Sequence, residues 1–186
     1  MSERPSIRRS LRADERGGAH VLLFALLAAT CAVLLLVTSV GWMTLSVNKT
    51  KSKLALDRTT HAAAQQIDLA EAAYGRLAWD EASGRAEFDR FLKLNFGLDA
   101  AGQPMEGSRL EAAPVVHRLE FVTSPVYPAT IRRTIVAREG TEQETTRRVD
   151  VTVYGPSVVA IVEVHQRVRG GLEPIVLSSV ASVRFR

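Results

Sequence analysis

Apolar residues are spaced in two different ways along the chain, and the first is a continuous run. From Gly17 to Asn48 there are 32 residues without Asp, Glu, Lys or Arg, and Val21–Val47 is almost wholly aliphatic. As an α-helix those 27 residues are about 40 Å long. A bilayer's hydrocarbon core is about 30 Å thick and needs about 20 residues. The run therefore predicts a transmembrane helix over 19–48.

A cleaved secretory signal is the main alternative to a retained helix. The apolar part of such a signal is about 7–15 residues long and ends at small residues. The run here is nearly twice that length and leads into Trp42, so a retained helix is favoured. Tryptophan is also enriched at the membrane–water interface. The small and weakly polar residues of the run would either support helix packing or hydrogen-bond to their own backbone.

Beyond the span, apolar residues recur at three- and four-residue spacing. Leu54, Leu56, the alanines at 62–64, Ile67 and Leu77 are separated largely by polar residues. This periodicity predicts an amphipathic helix over 49–80 that continues the transmembrane helix.

A short helix and a loop are predicted over 81–114. Asp80 and Glu81 fit a polar turn that terminates the preceding helix, and Arg85–Asn95 has apolar residues on one face. Gly97 fits the position just past a helix C-terminus. From Leu98 to Pro114 two further glycines and a proline predict a loop.

From Val115 onward the apolar period changes to two, which is typical of strands with one buried face. The predicted strands are Val115–Thr123, Thr130–Arg138, Arg147–Tyr154, Val158–Val168 and Pro174–Phe185. Together they predict an antiparallel meander over 115–186, covered by the apolar stripe of the amphipathic helix. The expected fold class is α+β and pilin-like, with a long N-terminal helix packed on a C-terminal sheet.

The distribution of charge bears on the membrane topology of the chain and does not indicate a charged ligand. The net charge is +4, and residues 1–18 form a basic leader with five arginines against three acids. No segment has the concentrated basic excess that nucleic acid requires, so no nucleic-acid partner is predicted. Lysines also follow the span, and the flanking charges give a slight preference for a cytoplasmic N-terminus.

No residue pattern indicates catalysis, a cofactor, a metal or a small-molecule substrate. The four histidines are far apart in sequence, and Cys31 is alone within the apolar run. Glu163 and His165 form a possible acid–base pair, but strand alternation predicts that both are ordinary polar residues on the solvent face. A glycosylation sequon at Asn48 has no meaning outside a eukaryotic secretory context.

Three segments resemble TadE/TadG-like proteins of Tad (tight adherence) pilus assembly. Residues 16–27, RGGAHVLLFALL, are similar to the start of that family, which begins with a basic leader and Arg-Gly. Residues 53–66, KLALDRTTHAAAQQ, resemble the family's alanine-rich helix after the span, and 178–184, SSVASVR, resemble its closing strand.

The resemblance implies a minor pseudopilin or pilus-assembly protein of the bacterial inner membrane, with its C-terminal domain periplasmic or extracellular. Its partners would be membrane lipid and other pilin-like or secretion-system subunits. Prepilin-like members are cleaved after a glycine, here Gly17 or Gly18, and carry glutamate five residues later. Leu22 or Leu23 occupies that position here, so the resemblance leaves cleavage open.

Two other functions are compatible with the sequence. One is a single-pass anchored ectodomain that binds an envelope partner or ligand and is unrelated to pili. The other is a membrane-tethered enzyme, which would need a pocket with converging polar groups. The strand pattern does not predict such a pocket, so a non-enzymatic assembly component is favoured.

Overall fold

A computed structural model describes residues 15–123, 126–142, 144–168 and 171–183. The chain divides into two compact units, and the boundary lies between Thr44 and Leu45. The helices are α1 (Glu15–Ala64), α2 (Leu69–Ala73) and α3 (Glu81–Phe96), and the strands are β1 (Val115–Val122), β2 (Ala129–Ala137), β3 (Thr145–Val153), β4 (Ser157–Val168) and β5 (Gly171–Ser182). The predicted α+β class, with an N-terminal apolar helix and C-terminal antiparallel strands, is confirmed.

The strands form two sheets rather than the single meander that the sequence predicts. One sheet has the order β1–β4–β5, and the other is the β2–β3 hairpin; all pairs are antiparallel. Strand β4 is the centre of the arrangement because every residue from Val158 to Val164 is buried. Consecutive residues of a strand point to opposite faces, so β4 is covered on both sides. The helices cover one face, and the β2–β3 hairpin covers the other.

The helical face of β4 carries the main core. Val158, Ala160, Val162 and Val164 pack in one cluster with apolar residues of α1 and α3, including Phe88. On the opposite face Val159 packs with Val151 and Val153 of β3.

Helix α1 contacts this core through small residues. Its buried side chains recur at helical spacing and are mostly Ala, Ser and Thr: Ser52, Ala55, Leu56, Thr59, Thr60, Ala62, Ala63 and Ala64. The hydroxyl groups of Thr59 and Thr60 donate to the carbonyl oxygens of Ala55 and Leu56 at 2.9 Å, which satisfies them inside the core. Leu54, predicted on the buried face, is instead about half exposed.

The prediction of one amphipathic helix over 49–80 is wrong in its second half, because α1 ends at Ala64. Asp68 then caps α2, its side chain accepting from the backbone N–H groups of Ala70 and Glu71. The Asp68 N–H donates to the Ala78 carbonyl at 2.9 Å, and Ile67 forms an isolated bridge with Trp79. These bonds compete with helix continuation and return the chain to the domain, where α3 begins.

Helix α3 begins at Glu81, four residues before the predicted start at Arg85. The reason is Asp80, which begins this helix rather than terminating the preceding one: its side chain accepts from the Ser83 N–H at 3.0 Å. The predicted terminator is confirmed, since Gly97 has φ of 65° in the left-handed region that glycine favours. The loop predicted from Leu98 to Pro114 contains no helix or strand.

Candidate functional site

The apolar part of α1 is the most extensive exposed hydrophobic surface of the described chain. Within the described residues, one helix is long and apolar enough to cross a membrane, and none of its most apolar 18-residue window is buried. Val21 and Val47, the predicted limits of the span, are exposed, and Trp42 is 76% exposed. A contiguous apolar surface of this size requires a cover of lipid or protein.

Three threonine hydroxyl groups within this segment are satisfied by the helix's own backbone. The hydroxyl groups of Thr30, Thr38 and Thr44 donate to helix carbonyl oxygens three or four residues earlier, at 2.8–3.0 Å. This arrangement removes the cost of placing hydroxyl groups in hydrocarbon. Cys31 is exposed on the same segment as a free thiol.

Gly17 and Gly18, the residues predicted to precede cleavage, both lie within α1. A Cβ added at Gly18 would meet no atom within 4 Å. Packing therefore does not require glycine at that position. The leader residues 1–14 lie outside the described residues.

A buried carboxyl group lies between the two sheets and corrects the prediction for Glu163 and His165. Glu163 has a side chain only 2% exposed. Its Oε2 atom is 2.9 Å from Nε2 of His117, and its Oε1 atom is 3.2 Å from Nε2 of His165. The prediction failed because it assigned this face of β4 to solvent, whereas the β2–β3 hairpin covers it.

The Glu163 contacts connect three strands. His117 lies at a register shift in β1, Glu163 and His165 lie on β4, and the backbone N–H of Arg138, just after β2, donates to Glu163 at 3.3 Å. Each imidazole contacts a different carboxylate oxygen, so the three side chains do not converge on one point. In the described part of the chain, no group of three or more His, Cys, Asp or Glu has a geometry that could hold a metal ion.

Sequence reasoning missed the Glu163–His117 contact, although one signal pointed to it. Residues 158–164, VVAIVEV, are apolar at both odd and even positions except for Glu163. A run of that kind indicates a strand buried on both faces. The distant His117 carries no sequence signal, because the register shift that turns it towards β4 follows from tertiary pairing.

Polar groups also converge on an open cavity of about 480 Å³ between α3 and β1. Arg85, Asp89, His117, Arg118 and Glu120 are among its lining residues. The strand pattern did not predict this cavity. Three of its polar groups already have partners, because Arg85 donates to Glu81 at 3.5 Å, His117 contacts Glu163, and Glu120 accepts from Arg133 at 2.7 and 2.8 Å.

Among the residues that the structure describes, Asp80 and Arg133 have shifted pKa values. The Ser83 hydroxyl and backbone N–H donate to Asp80 and lower the pKa of that carboxyl group below its ordinary value. The hydrogen bonds and charge of Glu120 raise the pKa of Arg133 further above its ordinary value. The first shift belongs to a helix cap and the second to an ion pair between the sheets, so neither indicates a reactive group.

Comparison of the chain with protein-family models, with curated proteins and with solved structures gives no match in any of the three.

Proposed function

We propose that the protein is a non-enzymatic, single-pass membrane component of a bacterial pilus or secretion-system assembly, of the TadE/TadG-like minor pseudopilin kind. The observation that carries this proposal is α1. From Gly18 to Val47 this helix is predominantly apolar, has no Asp, Glu, Lys or Arg and is largely exposed. The same unbroken helix supplies Leu56 and Ala63 to the core of the folded domain. The resemblance of residues 16–27 and 53–66 to that family supports the same proposal.

Anchoring follows from the energetics of the exposed apolar surface. Burial of apolar area contributes about 25 cal/mol per Å². The side chains of Val21–Val47 are largely exposed in the isolated chain, so lipid insertion is the arrangement that removes them from water. The preceding arginines favour a cytoplasmic N-terminus and a domain on the periplasmic or extracellular side of the inner membrane.

Assembly through helix packing is the part of the proposal that concerns partners. Without a hydrophobic driving force inside lipid, helices associate through close packing of small residues. Gly41, Ser39 and Ser46 lie in the C-terminal half of the span, where Gly41 is partly buried and the two serines are exposed. A second pilin-like subunit is the proposed partner for this part of the helix.

An anchored ectodomain that binds an envelope partner is the alternative. It is favoured by one observation, which is that the domain from Leu45 onward has its own core of α1, α3 and β4 residues. Such a domain would bind its partner without contacts inside the membrane.

Photocrosslinking in the native membrane separates the two functions. A photoreactive amino acid at Ser39 should form an adduct with another single-pass pilin-like subunit or with a second copy of the chain. The matched position Leu27, in the other half of the span, should give mainly lipid adducts. Lipid adducts alone at both positions would contradict assembly through the span and favour the anchored ectodomain.

Intact mass of the membrane-extracted protein decides the cleavage question. A start at Gly18 or Ala19 would establish prepilin-type processing after Gly17 or Gly18. A start at Met1 would exclude processing and limit the proposal to an assembly protein that retains its leader.

A further inference from the structure

An open groove lies in the folded domain between α1 and the segment that follows α3. Its volume is about 290 Å³. Small-molecule pockets occupy about 300–1,000 Å³, so a small polar group fits this space better than a large ligand. Helix α1 contributes Lys51, Ser52 and Ala55, and residues 94–97 and 105–109 form the opposite wall.

The walls of the groove are held by hydrogen bonds that leave its charged side chains free. The Ser52 hydroxyl accepts from Gln166 at 2.8 Å, and the Asn95 amide donates to the Thr59 hydroxyl at 3.1 Å. The Ser108 hydroxyl donates to the Phe96 carbonyl at 2.7 Å. A site fixed in this way costs less to occupy than one that must order on binding.

Three charged side chains line this prearranged groove. They are Lys51, Glu106 and Arg109, and none has a hydrogen-bond or ion-pair partner among the residues that the structure describes. Two cations and one carboxylate are complementary to a zwitterion that carries a phosphate and an amine. Leu94 and Met105, both exposed apolar residues, line the same groove.

The position of the groove along α1 identifies the source of such a zwitterion. Lys51 lies four residues after Val47, the predicted end of the span, which is about 6 Å of helix. Headgroups occupy the layer directly outside the hydrocarbon core of a bilayer. Lys51 therefore follows the predicted end of the span closely enough to reach the phosphate and amine of a phospholipid headgroup.

We infer that this groove binds the headgroup of a zwitterionic, amine-bearing phospholipid. Lys51 and Arg109 bind the phosphate, Glu106 binds the ammonium group, and Leu94 and Met105 form the apolar part of the wall. The inference rests on the membrane anchoring in the proposed function and is independent of pilus assembly.

Native mass spectrometry of the full chain in detergent tests the inference. The protein is titrated with phosphatidylethanolamine, phosphatidylglycerol or inorganic phosphate, and the retained molecules are counted. We expect retention of phosphatidylethanolamine above phosphatidylglycerol, and about tenfold weaker retention in the double variant Lys51→Gln/Arg109→Gln. The Glu106→Gln variant should still retain phosphatidylethanolamine and phosphatidylglycerol, but without a preference for the amine-bearing lipid.

Matched variants separate this site from general surface charge. Lys49→Gln removes an exposed lysine of α1 that does not line the groove, and it should retain phosphatidylethanolamine like the wild type. The charge-conserving variant Lys51→Arg should also retain it, which shows that the fold is intact. Equal losses in Lys49→Gln and the double variant, or equal retention of both lipids by the wild type, would overturn the inference.

Competition by inorganic phosphate distinguishes a headgroup from a free anion. Millimolar phosphate that displaces phosphatidylethanolamine would show that the groove is a phosphate site without lipid specificity and would overturn the inference. A chain that fractionates with membranes and yet shows no lipid preference refutes the headgroup site alone. A chain that does not fractionate with membranes refutes the anchoring as well.

Discussion

At the residue scale, Glu163 shows how the domain accommodates one buried carboxyl group. Its two oxygen atoms contact His117 and His165, and the backbone N–H of Arg138 donates to it. Buried charged groups are tolerated when hydrogen bonds satisfy them, and removal of one partner leaves the others unsatisfied. The contacts therefore hold β1, β4 and the β2–β3 hairpin at one point.

Replacement of Glu163 by alanine should lower the free energy of unfolding by about 3 kcal/mol, because it leaves two partly buried imidazoles without their acceptor. Urea denaturation of the full chain in detergent, followed by circular dichroism, measures the loss. Glu173→Ala, an exposed position on the neighbouring strand β5, is the control and should change stability by less than about 0.5 kcal/mol. Equal effects of the two variants would contradict the role assigned to Glu163.

The second prediction at the residue scale concerns Asp80 and the pH dependence of folding stability. Its pKa is lowered by hydrogen bonds from Ser83, so the folded state binds fewer protons at this group than the unfolded state. The stabilisation is therefore complete above the unfolded-state pKa and is lost as the pH falls through the lower folded-state pKa. In acid titrations below pH 4, Asp80→Ser should lose less stability than the wild type. Asp89→Ser, on the exposed side of α3, should lose as much stability in acid as the wild type. If Asp89→Ser and Asp80→Ser instead showed equally small losses, the role of Asp80 as a helix cap would be contradicted.

At the element scale, helix α3 packs closely against strand β1 because a glycine, Gly84, lies at the contact. A Cβ at Gly84 would lie 2.7 Å from Cζ of Phe121 on β1 and 3.4 Å from the Ala63 carbonyl oxygen. The Phe121 ring is held in turn by Trp79, with ring centroids 6.0 Å apart. The ring would have to shift to admit a Cβ, so the close approach of α3 depends on the absence of a side chain.

Gly84→Val should consequently destabilise the domain by about 2 kcal/mol, the usual range for overpacking a core. The thermal midpoint of the full chain in detergent reports this loss. Ala86→Val introduces the same β-branched residue at an exposed position of α3 and controls for helix propensity. A midpoint shift for Gly84→Val no larger than that of Ala86→Val would contradict the packing described for Phe121.

Local patterns predicted the elements of this chain better than their arrangement. The apolar run of α1, the Gly97 terminator and the five strands are properties of short segments, and each strand lies within about three residues of its predicted position. The division into two sheets depends on pairing between β1 and β4, which are far apart in sequence. The end of α1 at Ala64 depends on Asp68 and on the bridge between Ile67 and Trp79, where tertiary bonds outweigh helix propensity.

At the scale of the whole molecule, one chain combines an exposed apolar helix with a domain that has its own core. Under the proposed function, the apolar part of α1 would anchor the protein and the domain would present a surface beyond the membrane. Both the assembly function and the headgroup site depend on this anchoring. It is therefore the central claim, and it can be tested without knowledge of any partner.

Alkaline carbonate extraction of membranes that contain the full chain tests anchoring most directly. We predict that the wild type stays in the membrane pellet and that Leu35→Arg leaves it, because arginine at the centre of a span costs about 2.5–3.5 kcal/mol in insertion. Leu54→Arg, at a half-exposed position of α1 beyond the span, should stay in the pellet. Release of the wild type into the supernatant, or retention of Leu35→Arg as firm as that of Leu54→Arg, would contradict a transmembrane anchor.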